Sequence, residues 1–319
     1  MLKGIRFATL VLLATFIVYG SVVAETLTVY SLKGPSGLGM VRMFENPPKL
    51  EGSDIQVVAL PNVDLMVARL VSGEAKIGIL PPNVAAKLYS SGRPLAIAAV
   101  VGKGMLSFLS NDASIKSLAD LRGKEIYMAG QGATPDFVFR KILTTSGINP
   151  EKDLSLRYSM AYPEMAQSLI AGRITYAVLP EPFATMALIG KPSLMVPIDL
   201  QKEWAFAGGS PSYPMTVLVV DTRFASERSI LLKAILSSYA ESIAWTVANP
   251  DLAGVLAEKH ELGLKASIAA ASIPKSAYVF TQAKDARGDL EALFRVFLAL
   301  APSSIGGKLP GDSFYYSSE

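Results

Sequence analysis

The chain contains no cysteine and a single histidine, His260. The first absence excludes disulfides, thiol nucleophiles and thiolate-held clusters, and the second removes the other common ligand of zinc, copper and iron. No transition-metal site and no cofactor is therefore expected. A hard cation held by oxygens would need an acidic cluster or EF-hand spacing, and neither is present. There is also no block of Lys and Arg: 30 basic and 27 acidic residues are interspersed, for a net charge of +3. That balance gives no electrostatic footprint for nucleic acid or a charged membrane surface, so the expected partner is small. The sequence lacks the Gly-x-Ser-x-Gly elbow, the phosphate-binding loop and the dinucleotide spacing of glycines. A Ser-His-Asp triad would have to recruit His260, whose place after residues 251–259 suits the end of a helix. No catalytic residue is assigned.

What is present begins with a leader. Lys3 and Arg6 precede an apolar run over residues 7–23, and Val22, Val23 and Ala24 supply small residues for cleavage. This reads as a secretory signal peptide removed after Ala24. An uncleaved anchor is the alternative, but the run lies near the short end of the roughly 17–25 residues a spanning helix needs and is broken by Gly20 and Ser21. No other stretch reads as a membrane span. Export without cysteine leaves no lipid tether through that residue, and the remaining chain of about 295 residues suits two domains of roughly 100–200 residues each.

Short β-type runs alternate with helical patterns, which predicts a parallel or mixed sheet flanked by helices. Strands are predicted at 26–31, 55–60, 76–80 and 95–101, with helices from Gly37, Val63 and Pro82. A second series follows, with strands at 125–129, 154–158, 176–179 and 194–198 and helices from Pro135, Glu164 and Pro182. A shift of 99 residues aligns Met66 with Met165, Leu70 with Leu169, Gly73 with Gly172, Leu80 with Leu179, Pro81 with Pro180 and Ala85 with Ala184. Each copy ends a helix on glycine and runs a strand into Leu-Pro. Apolar runs at 105–110 and 215–220 are read as paired hinge strands. Residues 226–300 are read as helical, with a long amphipathic helix over 226–249 stopped by Asn249 and Pro250, all packing back on the first lobe. The tail, 303–319, is read as irregular and pinned by Phe314, Tyr315 and Tyr316.

In open α/β sheets, ligands bind where loops leave the carboxyl ends of strands. Four loops qualify. The first holds Lys33, Gly34, Ser36 and Gly37, either a ligand-facing turn or an ordinary strand-to-helix connection. The second, from the other lobe, holds Gln131, Gly132, Ala133 and Thr134, with Thr134 as the expected N-cap. Under the 99-residue shift, Pro82 and Asn83 correspond to residues 181 and 182, so Asn83 and Glu181 would face each other across a cleft. Glu181 can accept from a ligand amine or complement its own helix dipole. Phe108 and Tyr213, at the hinge runs, can stack on a ring or simply belong to the core.

These segments resemble the nitrate/sulfonate/taurine-type substrate-binding proteins of ABC transporters, a group with relatives that bind thiamine precursors. The resemblance is carried by residues 63–80 leading into Pro81, Pro82 and Asn83, by 117–124, by 130–135, by Ala171, Gly172 and Arg173 with residues 179–183, and by 306–316. It implies an α/β, periplasmic-binding-protein-like fold of type II, with two lobes joined by two hinge crossovers. On this reading residues 1–24 are the leader, 25–107 the first part of lobe one, 108–216 lobe two and 217–319 the return to lobe one. It also implies a monomeric periplasmic protein that captures a small organic molecule and passes it to a permease with a cytoplasmic ATPase. The same fold family includes enzymes of pyrimidine and menaquinone-precursor chemistry, so an exported enzyme is the alternative. The loops suggest a small, partly planar solute such as a heterocycle or vitamin precursor, and Glu181 argues against an inorganic anion.

Overall fold

The computed structural model describes residues 25–317 apart from 51 and 209. The leader and its cleavage point lie outside the described residues. Eleven strands are present among these: β1 (Glu25–Leu32), β2 (Ser53–Leu60), β3 (Ile77–Leu80), β4 (Leu95–Lys103), β5 (Leu106–Ser110), β6 (Glu125–Tyr127), β7 (Ser155–Arg157), β8 (Tyr176–Pro180), β9 (Met195–Ile198), β10 (Pro214–Asp221) and β11 (Ala277–Gln282).

In the first lobe β1 pairs with β2 in parallel and runs beside β3, and β3 continues into the order β3-β10-β4-β11. In the second lobe the order is β7-β6-β8-β5-β9. The two sheets follow one plan. In each, a strand that enters from the other lobe lies antiparallel between two others: β10 between β3 and β4, β5 between β8 and β9. This is the structural counterpart of the 99-residue echo. Gly73 and Gly172 both end helices with φ near +79° and +71°, a conformation that only glycine adopts without strain.

The burial of the strands follows from their composition. β3 and β4 read as continuous apolar runs because helices cover both faces, and almost every residue of each is buried. β2, beyond β1 at the edge, alternates more strongly. A hydrophobic core containing Leu80, Ile97 and Val217 from the first lobe continues through Phe108, Ile126, Phe137 and Trp204 of the second. The helix Arg287–Leu300 joins them behind the cleft, where the ring centroids of Phe137 and Phe297 are 5.0 Å apart.

Four expectations need correction. The apolar runs 105–110 and 215–220 do not pair with each other, because each is consumed as an inner strand of one sheet. The two crossovers meet just outside them, where Gly104 N donates to Tyr213 O at 2.9 Å and Lys103 stands opposite Pro214. Residues 226–300 are not all helical: β11 adds an edge strand to the first sheet. Nor do they pack only on the first lobe, since Arg287–Leu300 touches both. Finally, Ser229–Ala248 is long and apolar enough to cross a membrane by length and composition. It is apolar on more than one face, with Leu232, Ile235 and Tyr239 buried and Ile230 exposed, and it packs with Val101, Leu218 and Val220. The helix Leu200–Gly208 was not anticipated. The tail behaves as expected: Phe314 is buried, and Tyr316 N donates to Ile97 O at 2.9 Å.

Candidate functional site

Six loops at the carboxyl ends of strands converge on a cavity of about 600 Å³, within the size range of small-molecule sites. After β1, Lys33 N donates to Leu60 O at 2.8 Å, and Gly34, at φ +83°, donates its N–H to Leu262 O at 2.9 Å. The short helix Pro35–Gly39 follows and is held from behind. Ser242 Oγ donates to Gly39 O at 2.9 Å and Thr246 Oγ1 to Leu38 O at 3.3 Å, which satisfies carbonyls that a helix end leaves unpaired. After β2, Asn62 caps the helix Val63–Ser72 by accepting from Leu65 N at 3.0 Å. After β3 come Pro81 and the helix Pro82–Ser90.

The opposite wall is built by the second lobe. After β6 the chain turns through Gly130 and Gly132, both at positive φ, into the helix Thr134–Thr145. Asp136 fixes that turn: its Oδ2 accepts from Gly132 N at 2.8 Å, while its Oδ1 accepts from Arg140 Nε and from Tyr158 OH, each at 2.6 Å. After β7 come Ala161, Tyr162 and Pro163, and after β8 come Pro180 and Phe183. The rings of Tyr162 and Phe183 stack at 5.8 Å with planes 19° apart. Burial, aided by the charge of Asp136, pushes the Tyr162 phenol well above its ordinary range. Met105, Met215 and Thr216 close the cavity at the crossovers.

Of the residues expected to bind a ligand, Lys33, Gly34, Ser36, Ala133 and Thr134 line this cavity. The others stand elsewhere. Gly37 is buried, with the space its missing side chain would fill occupied by Leu32 O and Leu262. Pro82 is buried at the first turn of its helix, and Gln131 and Gly132 are exposed. Asn83 is buried between the lobes, its Nδ2 donating to Gly132 O at 3.3 Å. Phe108 and Tyr213 are core residues, fully buried: Phe108 stacks on Tyr176, and Tyr213 meets the Trp204 ring edge-on and accepts from Gln201 Nε2 at 3.0 Å. An aromatic on an apolar strand has no signal of its own to tell cleft from core.

Glu181 is buried and turned to its own helix start, where Oε2 accepts from Thr185 N at 3.1 Å. Burial raises its carboxyl above the ordinary range, opposed by the hydrogen bonds from Thr185 and the charge of Lys275. His260 lies outside the lining, its Nε2 2.9 Å from Glu45 Oε2. Sequence reasoning missed Asn62, Met105, Tyr162, Met215, Thr216, Leu262 and Gly263. Pro163 after a short strand was the available sign for Tyr162; Leu262 and Gly263 come from a distant turn that no local pattern marks.

A cleft between two lobes of matching topology, floored by two crossovers, defines a type II periplasmic-binding-protein fold. A model of the family described as NMT1/THI5 like matches residues 49–253, more than half of the chain, and the chain belongs to that family. Among solved structures, an ABC transporter from Parabacteroides distasonis superposes with a TM-score of 0.79 at 25% identity, covering 92% of this chain and 100% of that one. The periplasmic aliphatic sulphonate binding protein SsuA from Escherichia coli superposes with a TM-score of 0.71 at 18% identity, covering 92% of each. The desulfurization enzyme DszB gives a TM-score of 0.59 at 13% identity, over 88% of this chain and 93% of that one. Comparison of the sequence with curated proteins found no match.

Proposed function

We propose that this chain is the extracytoplasmic solute-binding component of an ABC importer, which captures a small organic molecule between its lobes and delivers it to a permease driven by a cytoplasmic ATPase. The observation that carries this reading is the cavity itself, walled by corresponding loops of two similar lobes over two adjacent crossovers, the geometry of a clamp. The likeness to the Parabacteroides distasonis ABC transporter over nearly its full length supports it. On this reading residues 1–24 direct export to the periplasm, and the protein works there as a monomer. The proposed division is 25–107 and 217–319 for lobe one and 108–216 for lobe two.

The enzymatic alternative has a relative in DszB, so the site must decide. The cavity lining carries the hydroxyls of Ser36, Thr134, Thr216 and Tyr162, the Lys33 ammonium and the Asn62 amide, but no imidazole, thiol or carboxylate. That set suits holding a solute better than acid–base or nucleophilic chemistry. The test is to identify the solute by mass spectrometry after incubation of the purified protein with cell extract. A molecule recovered unchanged and a smaller radius of gyration in its presence support the reading. Stoichiometric or catalytic conversion of the molecule would overturn it.

A further inference from the structure

We infer that the solute held in this cleft is uncharged and predominantly apolar, with a flat face for the Tyr162–Phe183 wall, and is not a small oxyanion. The inference rests on the solute-binding reading above and adds the chemical class.

Oxyanion sites in α/β folds are made from free N–H groups at helix starts. In this cleft that resource is reduced at four helix starts, each of which offers one N–H fewer. Proline occupies the first or second position of the helices beginning at Pro35, Pro82, Thr134 and Tyr162, and proline has no N–H to offer. Several amides of the adjoining loops are committed. The amides of Lys33, Gly34 and Ala133 bond to backbone carbonyls, and Gly132 N bonds to Asp136.

The charges point the same way. Asp136, buried in the first turn of the helix Thr134–Thr145, already complements that helix dipole and is itself paired with Arg140. A bound anion there would meet a carboxylate behind the wall, and the one cation in the lining, Lys33, is exposed at the rim. Desolvating an anion without a buried counter-charge is unfavourable. By contrast, the prolines, Leu80, Val63 and Leu262, with the thioethers of Met105 and Met215, make most of the lining apolar. Such thioethers adapt to aromatic partners.

The test uses naphthol and naphthalenesulfonate, two compounds of one ring system that differ in charge, with nitrate and taurine as small anions. Each competes with the neutral fluorophore N-phenylnaphthylamine for the purified protein. Naphthol is expected to bind at least about tenfold tighter than the sulfonate, with an affinity that stays flat between roughly 0.05 and 0.5 M salt. Ala161→Trp, at an exposed position on the cavity wall, is expected to weaken naphthol by about tenfold or more with an unchanged melting temperature. Phe183→Ala gives the same reading by removing a wall instead of filling the space. Tighter binding of the sulfonate, nitrate or taurine, weakened by salt and by Ala161→Trp, would overturn the uncharged class and leave the cleft as the solute site. Naphthol binding untouched by both substitutions would overturn the cleft itself.

Discussion

The side-chain amide of Asn83, on the first lobe, donates to the carbonyl of Gly132, on the second, across 3.3 Å. Thr134 Oγ1 lies 3.5 Å from the oxygen of the same amide, so one buried carboxamide bridges the two lobes. Because this bond exists only when the lobes are together, it biases the equilibrium toward the closed form. A neutral hydrogen bond of this kind contributes about 0.5–1.5 kcal/mol. Asn83→Ala is therefore expected to enlarge the ligand-free particle in small-angle scattering and to weaken solute binding by roughly two- to tenfold. An unchanged scattering profile and affinity would show that the bond carries no part of closure.

The first crossover imposes a second constraint. Gly104 sits at φ +59°, Met105 beside it at φ +69°, and a Cβ on Gly104 would stand 2.7 Å from the Gln201 side chain. Gly104→Ala combines backbone strain with a clash and is expected to cost about 1–3 kcal/mol, read as a lower urea midpoint. The double change Gly104→Ala with Gln201→Ala should recover the part due to the clash and leave the part due to φ.

Arg140 supports the cavity wall through Asp136. The Asp136 side chain is only 4% exposed and that of Arg140 17%, so removing the guanidinium strands a buried carboxylate. Arg140→Ala is expected to destabilise the protein by about 3 kcal/mol or more and to loosen the Gly132 turn. Urea denaturation gives the first effect, and hydrogen exchange at the Gly132 amide, which Asp136 holds, gives the second. The double change Asp136→Asn with Arg140→Ala should cost less than Arg140→Ala alone.

Most of the sheet framework was legible because strands covered on both faces leave unmistakable apolar runs: the run at 95–101 matches β4 and the run at 176–179 matches β8. The helix Leu200–Gly208 was missed although its start was signalled, since Asp199 Oδ1 accepts from Gln201 N and Lys202 N. β11 escaped because its residues, Ala277–Gln282, are only half-buried at a sheet edge and follow a proline-bearing turn. In the site, the glycine-bearing loops could be placed from topology. Which side chains point into the space could not, because a one-residue choice at Glu181 or Asn83 turns a ligand contact into a helix cap or an inter-lobe bond.

Glu181 gives a prediction in pH. Its carboxyl is raised from the ordinary value of 4.5, mainly by burial, so the folded state holds its proton more tightly than the unfolded chain does. Below about pH 4.5 both states are protonated and the residue contributes no pH dependence. As pH rises through that value the unfolded chain releases its proton first and binds fewer protons than the folded one, so stability falls until the folded carboxyl has ionised too. At neutral pH the residue is therefore a cost, moderated by Thr185 N and Lys275. Glu181→Gln keeps an oxygen for Thr185 N and removes the charge. The variant is expected to melt at the same temperature as the parent near pH 4 and at a higher temperature at pH 7 to 8, with the difference growing across the interval between. Scanning calorimetry at several pH values checks this. A difference that is constant with pH would mean that the carboxyl is not perturbed in the folded protein, and a variant less stable at pH 8 than the parent would mean that the bonds from Thr185 and the charge of Lys275 outweigh the burial.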